Sequence, residues 1–275
     1  MPVDLLAHIF NTRLPMVRPA TVLADIIEGY YHVSWDGREE DVWASLDGSP
    51  VLVFMLSEPF SLHFRGVHNR VFNKAFFCCY GLRGTYISDM PKGMRLLVVR
   101  FTSSGLFQLM QQPLPTSMPA ALCGIGEIWG KAGEMLAEAI CQDPESCLAG
   151  LEAFLMSRLP EYTTVNYKLQ SAVQMISDQR GQLSVSDICV SLRVNYKWLE
   201  RNFMQWLGVT PKAYLGNMRF LYAYFGMMNG KMGLTGIALE SGYYDQNHFI
   251  RDCRKYTGRA PSQITSLYQQ EQPGL

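Results

Sequence analysis

The chain has 275 residues, 48% of them hydrophobic, and its 24 Lys+Arg balance 24 Asp+Glu. That length fills two modest domains or one large one, and no uninterrupted apolar run reaches the roughly 18 residues a membrane span needs. With an acidic residue and no small-residue cleavage site in the opening MPVDLLAHIFNTRLP, the expectation is a soluble cytoplasmic protein, neither secreted nor membrane-inserted.

Zero net charge conceals a split. Residues 1 to 167 hold 12 Lys+Arg against 17 Asp+Glu, a balance of −5, and residues 168 to 275 hold the remaining 12 against 7, a balance of +5. An acidic half and a basic half suggest a basic module that meets a polyanion. The seven cysteines are odd in number and irregularly spaced, which argues against a disulfide framework and for reduced thiols. Cys78 and Cys79 are adjacent, but on a strand they point to opposite faces, so a redox pair is disfavoured.

In chain order, RPATVLADIIEGYYHV opens with a proline and spaces Leu23, Ile26 and Ile27 like one helical face ending at Gly29. Short β-rich segments follow: VLVFML (51 to 56), FSLHFR (60 to 65), RVFNKAFF (70 to 77), GTYIS (84 to 88) and RLLVVRF (95 to 101). Punctuated by Gly, Pro, Asn and Asp about every ten residues, they predict a small antiparallel barrel or sandwich. After PLPTSMP the pattern turns helical: GEIWGKAGEMLAEAIC, then DPESCLAGLEAFLMSRL, with Asp143 as N-cap and Pro144 at the first helical position. The fold class is therefore α+β. Residues 1–160 form a β-rich N-terminal domain with flanking helices, 161–167 a linker, 168–265 an all-helical domain and 266–275 a tail.

From residue 168 every periodic stretch reads as helix, and one segment occurs twice. NYKWLERNFMQWLGVTP (195 to 211) and DQNHFIRDCRKYTGRAP (245 to 261) share a grammar at an offset of fifty: Leu199 with Phe249, Arg201 with Arg251, Trp206 with Tyr256, Gly208 with Gly258, Pro211 with Pro261. Upstream, Ile188-Cys189 matches Ile237-Ala238 at an offset of 49, so one residue near Tyr244 is extra in the second copy. Each unit reads as a short helix, a turn, and a second helix capped by Asn195 or Asp245, which is the helix-turn-helix pattern. Leu199, Phe203 and Trp206, and Phe249, Cys253 and Tyr256, make the core stripe. The opposite face carries Lys197, Glu200 and Arg201 in the first unit and Gln246, Asn247, Ile250 and Arg251 in the second. Arg can grip a guanine edge, Asn and Gln an adenine edge, and Lys a phosphate or guanine. A helix from Pro211 to about Met228 joins the units; its length of about 27 Å is close to the roughly 34 Å between successive major grooves on one side of B-DNA.

Residues 168 to 265 resemble the DNA-binding domain of the AraC/XylS family of bacterial transcription regulators, and GIALESGYYDQNHFIRDCRKYTGRAPSQ is similar to that family's signature region. The resemblance implies two helix-turn-helix subdomains on a long connecting helix, with DNA contacts at Lys197, Glu200, Arg201, Gln246, Asn247 and Arg251. Two positions depart from the pattern: Arg193 stands where the first turn usually has glycine, and Cys253 where the second recognition helix usually has phenylalanine. Acidic Glu200 cannot hold phosphate, and suits a cytosine amino group or no contact. The implied partners are double-stranded DNA, RNA polymerase, a small-molecule effector of unknown identity and a second copy of the chain. The implied place is the bacterial cytoplasm, at the nucleoid.

The N-terminal half resembles the sensing and dimerising domains of such regulators more loosely. Its aromatics predict an apolar pocket in which Tyr31 and Trp43 supply walls and His63, Arg65 or Arg100 fixes a ligand, although most aromatics are expected to be core. Helices at 125 to 141 and 144 to 159 either pair two copies or cover the sheet. The rival reading is an enzymatic, metal or redox activity based on a cysteine. His63 and His68 are five apart, and no ligand cluster, G-x-S-x-G or P-loop occurs, so no catalytic residue, metal or cofactor is expected and the chain does not read as an enzyme.

Overall fold

The computed structural model describes residues 16–35, 42–43, 50–58, 61–64, 67–71, 74–78, 85–88, 93–102, 105–110, 122–143, 147–159, 166–228 and 232–265. Among the described residues, ten strands form two antiparallel sheets. The six-stranded sheet runs in the order β1 (Met16–Val17), β2 (Ile27–Trp35), β9 (Met94–Phe101), β4 (Val51–Met55), β7 (Ala75–Cys78), β10 (Leu122–Gly124). The four-stranded sheet runs β3 (Val42–Trp43), β8 (Thr85–Ser88), β5 (Ser61–Phe64), β6 (Val67–Val71).

Two expected elements came out differently. The stretch expected to be a helix from Pro19 to Gly29 is a single 3-10 turn, Thr21–Leu23, followed by the strand β2. Its Tyr-Tyr-His-Val run is β-branched and aromatic, and β2 pairs with β9 from Ile27↔Phe101 to Trp35↔Met94, so long-range pairing outweighs a short helical spacing. The expected strand 70 to 77 divides: Val67–Val71 joins the smaller sheet and Ala75–Cys78 the larger. Asp143 closes the helix before it, and residues 144–146, where the next helix is expected to begin, lie outside the described residues.

The all-buried β4 pairs with both β7 and β9 and packs under α2 (Ile125–Gln142), a helix kinked at Gly130. Trp129 meets Phe77 edge-on with ring centroids 4.8 Å apart and lies 5.2 Å from Phe154 of α3 (Cys147–Ser157). The α3 carboxylate Glu152 accepts from the Ala20 N–H at 2.8 Å and the Tyr30 hydroxyl at 3.1 Å, tying the helix to the chain entering β2. A further short helix, α1, spans Gly105–Met110. No helix among the described residues is long and apolar enough to cross a membrane.

The C-terminal half is helical throughout: α4 (Tyr167–Asp178), α5 (Val185–Leu192), α6 (Tyr196–Leu207), α7 (Pro211–Met228), α8 (Leu234–Glu240), α9 (Gln246–Thr257) and a final turn at 261–265. Asn166 caps α4 by accepting from the Leu169 N–H, immediately before the segment at which the charge changes sign. α7 is the common floor, packing against α4, α6, α8 and α9.

Candidate nucleic-acid interface

The two copied segments fold alike, down to single hydrogen bonds. In the first unit, α5 ends as Arg193 N–H reaches the Val190 carbonyl and Val194 N–H the Cys189 carbonyl; in the second, Gly242 N–H reaches Leu239 and Tyr243 N–H reaches Ala238. These are the same bonds at an offset of 49. They place a left-handed residue at the same point of each turn, Gly242 at φ 76° and Arg193 at φ 51°. Glycine enters that region freely and arginine does not, so the departure at Arg193 alters the cost of the turn and not its shape. The extra residue of the second unit is Tyr244, which is 89% exposed. From there the offset is fifty: Asn195 accepts from the Trp198 N–H at 2.8 Å and Asp245 from the His248 N–H at 2.7 Å, each satisfying an otherwise unpaired amide of the first turn. Gly208 and Gly258 close the helices at φ 66° and 77°, the usual left-handed helix ending.

The second helix of each unit buries one stripe. Leu199, Phe203 and Leu207 are fully buried in α6, and Trp206, expected in the core, is only half-buried. In α9, Phe249, Cys253 and Tyr256 are buried. The aromatic anchors on α7 differ: Phe203 meets Tyr214 edge-on at 5.6 Å, whereas Tyr256 stacks on Phe220 at 4.5 Å. Burial pushes the Cys253 thiol up to about 12, so it stays a neutral core group.

Outward, Lys197, Arg201, Asn247 and Arg251 are exposed, and Glu200 and Gln246 are half-buried. At the offset of fifty, Lys197 stands with Asn247 and Arg201 with Arg251, so the two helices present polar groups at matching positions. Two contacts of these side chains involve residues outside the expected set. The Tyr196 hydroxyl donates to Glu200 Oε1 at 3.1 Å, and Thr235 Oγ1 donates to Gln246 Oε1 at 2.7 Å. The first joins residues four apart on one helix and was visible as spacing; the second crosses from α8 to α9 and was not.

Residues 188–266 match the family model described as a helix-turn-helix domain. This C-terminal domain is AraC-type. The chain is 39% identical over 56 residues to the virulence regulon transcriptional activator VirF of Yersinia enterocolitica, covering 20% of this chain and 21% of VirF. It is 36% identical over 55 residues to the HTH-type transcriptional regulator ExsA of Pseudomonas aeruginosa, covering 20% of each. The chain thus spans about a fifth of the length of these curated relatives. Over 86% of this chain and 97% of the other, the fold is similar to that of ToxT from Vibrio cholerae, at 14% identity and a TM-score of 0.50.

Outside the AraC-type domain, the expected effector residues divide between the two sheets. Tyr31 and Arg100 belong to the six-stranded sheet and both are buried, at 2% exposure each. Arg100 Nε donates to Glu28 Oε2 at 2.7 Å, so the guanidinium already serves an ion pair within the protein. The backbones of Trp43 and His63 lie in the four-stranded sheet, on either side of Tyr86 in one cross-strand row. Arg65 lies outside the described residues, as does Cys79. Among the described residues there is no group of three or more His, Cys, Asp or Glu able to hold a metal ion. Within the AraC-type domain, a cavity of about 260 Å³ opens between α7 and α8, lined in part by Arg180, Tyr222, Ile237 and Glu240.

Proposed function

We propose that the chain is a sequence-specific DNA-binding transcription regulator whose two helix-turn-helix units read adjacent major-groove segments. In this reading the N-terminal half takes a small-molecule effector, pairs two copies of the chain, or both. The observation that carries it is the duplicated geometry: two helices capped alike, closed alike and presenting Lys197, Arg201, Asn247 and Arg251 outward at matching positions. They are joined by an 18-residue helix of about 27 Å. The names of VirF, a transcriptional activator, and ExsA, a transcriptional regulator, support the same role.

The contacts divide by chemistry. Arg201 and Arg251 suit guanine edges, Asn247 an adenine edge and Lys197 a phosphate or guanine. Gln246 is more restricted: its amide oxygen is engaged by Thr235, so it presents its NH2 donors, which favours a guanine edge or a phosphate over adenine. RNA polymerase would be the downstream partner. Any effector held near the Trp43–Tyr86–His63 row would act only by as much as it discriminates between the free and the DNA-bound arrangements.

The test is selection from random duplex DNA with the full-length chain, then titration of the winning sequence at several salt concentrations. Two short conserved blocks about one helical turn apart are expected, with binding that weakens as salt rises. Enrichment no better than a salt-sensitive background would sink the reading.

A further inference from the structure

We propose that Tyr196 is a positioning residue that aims the Glu200 carboxylate at the exocyclic amino group of one cytosine in the groove segment read by the first unit. This rests on the DNA-reading role above and deepens it. A carboxylate on a recognition face is repelled by phosphates, so it is useful there only beside a donor. The major groove offers two, the N4 amino group of cytosine and the N6 amino group of adenine. Adenine places its N7 acceptor next to N6, which opposes the second carboxylate oxygen; cytosine has only a C–H at the neighbouring ring position, so cytosine is the better partner.

Left alone, a glutamate samples many rotamers, and ordering it at the interface costs entropy. Here Tyr196, at the first position of α6 and 49% exposed, donates its hydroxyl to Glu200 Oε1 at 3.1 Å. Oε2 is thereby left to accept from the base. The same bond holds the phenol pKa above its ordinary value, keeping the hydroxyl a donor. The second unit serves as an internal contrast. Ile250 occupies the position of Glu200, and Gln246 occupies that of Tyr196 and is tied to Thr235 instead. A cytosine requirement of this kind therefore belongs to one block of the operator and is absent at the matching position of the other.

The experiment uses the full-length chain and the selected duplex, with each base pair replaced in turn and affinity read by fluorescence anisotropy. The wild type is expected to prefer cytosine about tenfold at one position of one block, in line with one good polar base contact. Glu200→Ala removes that preference. Tyr196→Phe, which keeps the ring and the fold, lowers it to about threefold or less while leaving the other positions and the unfolding temperature unchanged. An unaltered specificity profile in Tyr196→Phe overturns the positioning role, and a cytosine preference that survives Glu200→Ala overturns the contact itself. A wild-type chain with no sequence preference overturns the DNA-reading assignment and the proposal with it, and the two failures are distinguished by the wild-type control.

Discussion

The two helix-turn-helix units are one plan executed with different materials. The turns and the caps and ends of the recognition helices coincide hydrogen bond by hydrogen bond, yet the side chains that hold each recognition helix do not. In the first unit, Asn202 accepts from the Asn166 side chain at 2.6 Å, binding α6 to the start of α4. In the second, the equivalent Asp252 accepts from the Tyr243 hydroxyl at 3.1 Å, binding α9 to its own turn. The first unit fills its core with Phe203, the second with Cys253 and a Tyr256–Phe220 stack. The difference teaches that backbone geometry, which sets how a helix meets a groove, is the shared constraint, while packing is free to be solved locally.

The contrast breaks most visibly in the core. Phe203→Ala is expected to cost about 3–5 kcal/mol, against about 1 kcal/mol for Cys253→Ala, since far less apolar surface is lost. Thermal and urea unfolding of the full-length chain measure both, and equal costs would show that Cys253 is no lesser anchor. Next come the readers. Arg251→Ala should weaken operator binding by about 1–3 kcal/mol and relax base preference in one block, with Arg201→Ala doing the same in the other. A uniform loss on all sequences, with a shallower salt dependence, would make either arginine a phosphate contact.

The turns should differ in sign. Gly242→Ala meets both a left-handed backbone and the Gln182 side chain, whose Cγ lies 3.0 Å from the position of an added Cβ; a loss of about 1–2 kcal/mol is expected. Arg193→Gly relieves the same backbone in the first unit and should raise the unfolding temperature slightly. The smallest effect concerns capping. Ser184 and Asp187 form a reciprocal box at the start of α5, whereas α8 starts at Gly233 without a side-chain cap. The side-chain and backbone hydrogen bonds from Ser184 hold the Asp187 carboxyl below the ordinary aspartate range. Its contribution is therefore present above the unfolded aspartate value of about 3.9 and lost as pH falls through the lower folded value. Amide shifts of Ser184 and Asp187, followed from neutral pH downward, should titrate below that value while the first turn of α8 shows no matching transition.

The helical half was legible because its information is local. Pro211, Gly208 and Gly258, Asn195 and Asp245 act on amides and carbonyls within a few residues, and a repeat at fixed offset amplifies each signal. In the N-terminal half the strands near 51, 61, 85 and 95 are legible in the sequence, but the helix expected from Pro19 to Gly29 does not form, because β2 takes its conformation from β9, about 60 to 75 residues away in the chain (Trp35↔Met94 to Ile27↔Phe101). The candidate interface followed the same rule: the outward positions of α6 and α9 came from periodicity, but the tie from Thr235 to Gln246 required two helices to be docked first.

By itself, then, the sequence determined where helices begin and end in the C-terminal half and which of their faces point outward, because capping and periodicity are properties of neighbouring residues. The tertiary structure decided the rest. It placed Tyr31 and His63 in separate sheets, engaged Arg100 with Glu28, and half-exposed Trp206 in favour of Leu207. Each of these depends on partners far along the chain, whose burial and pairing energies exceed the local preferences they override.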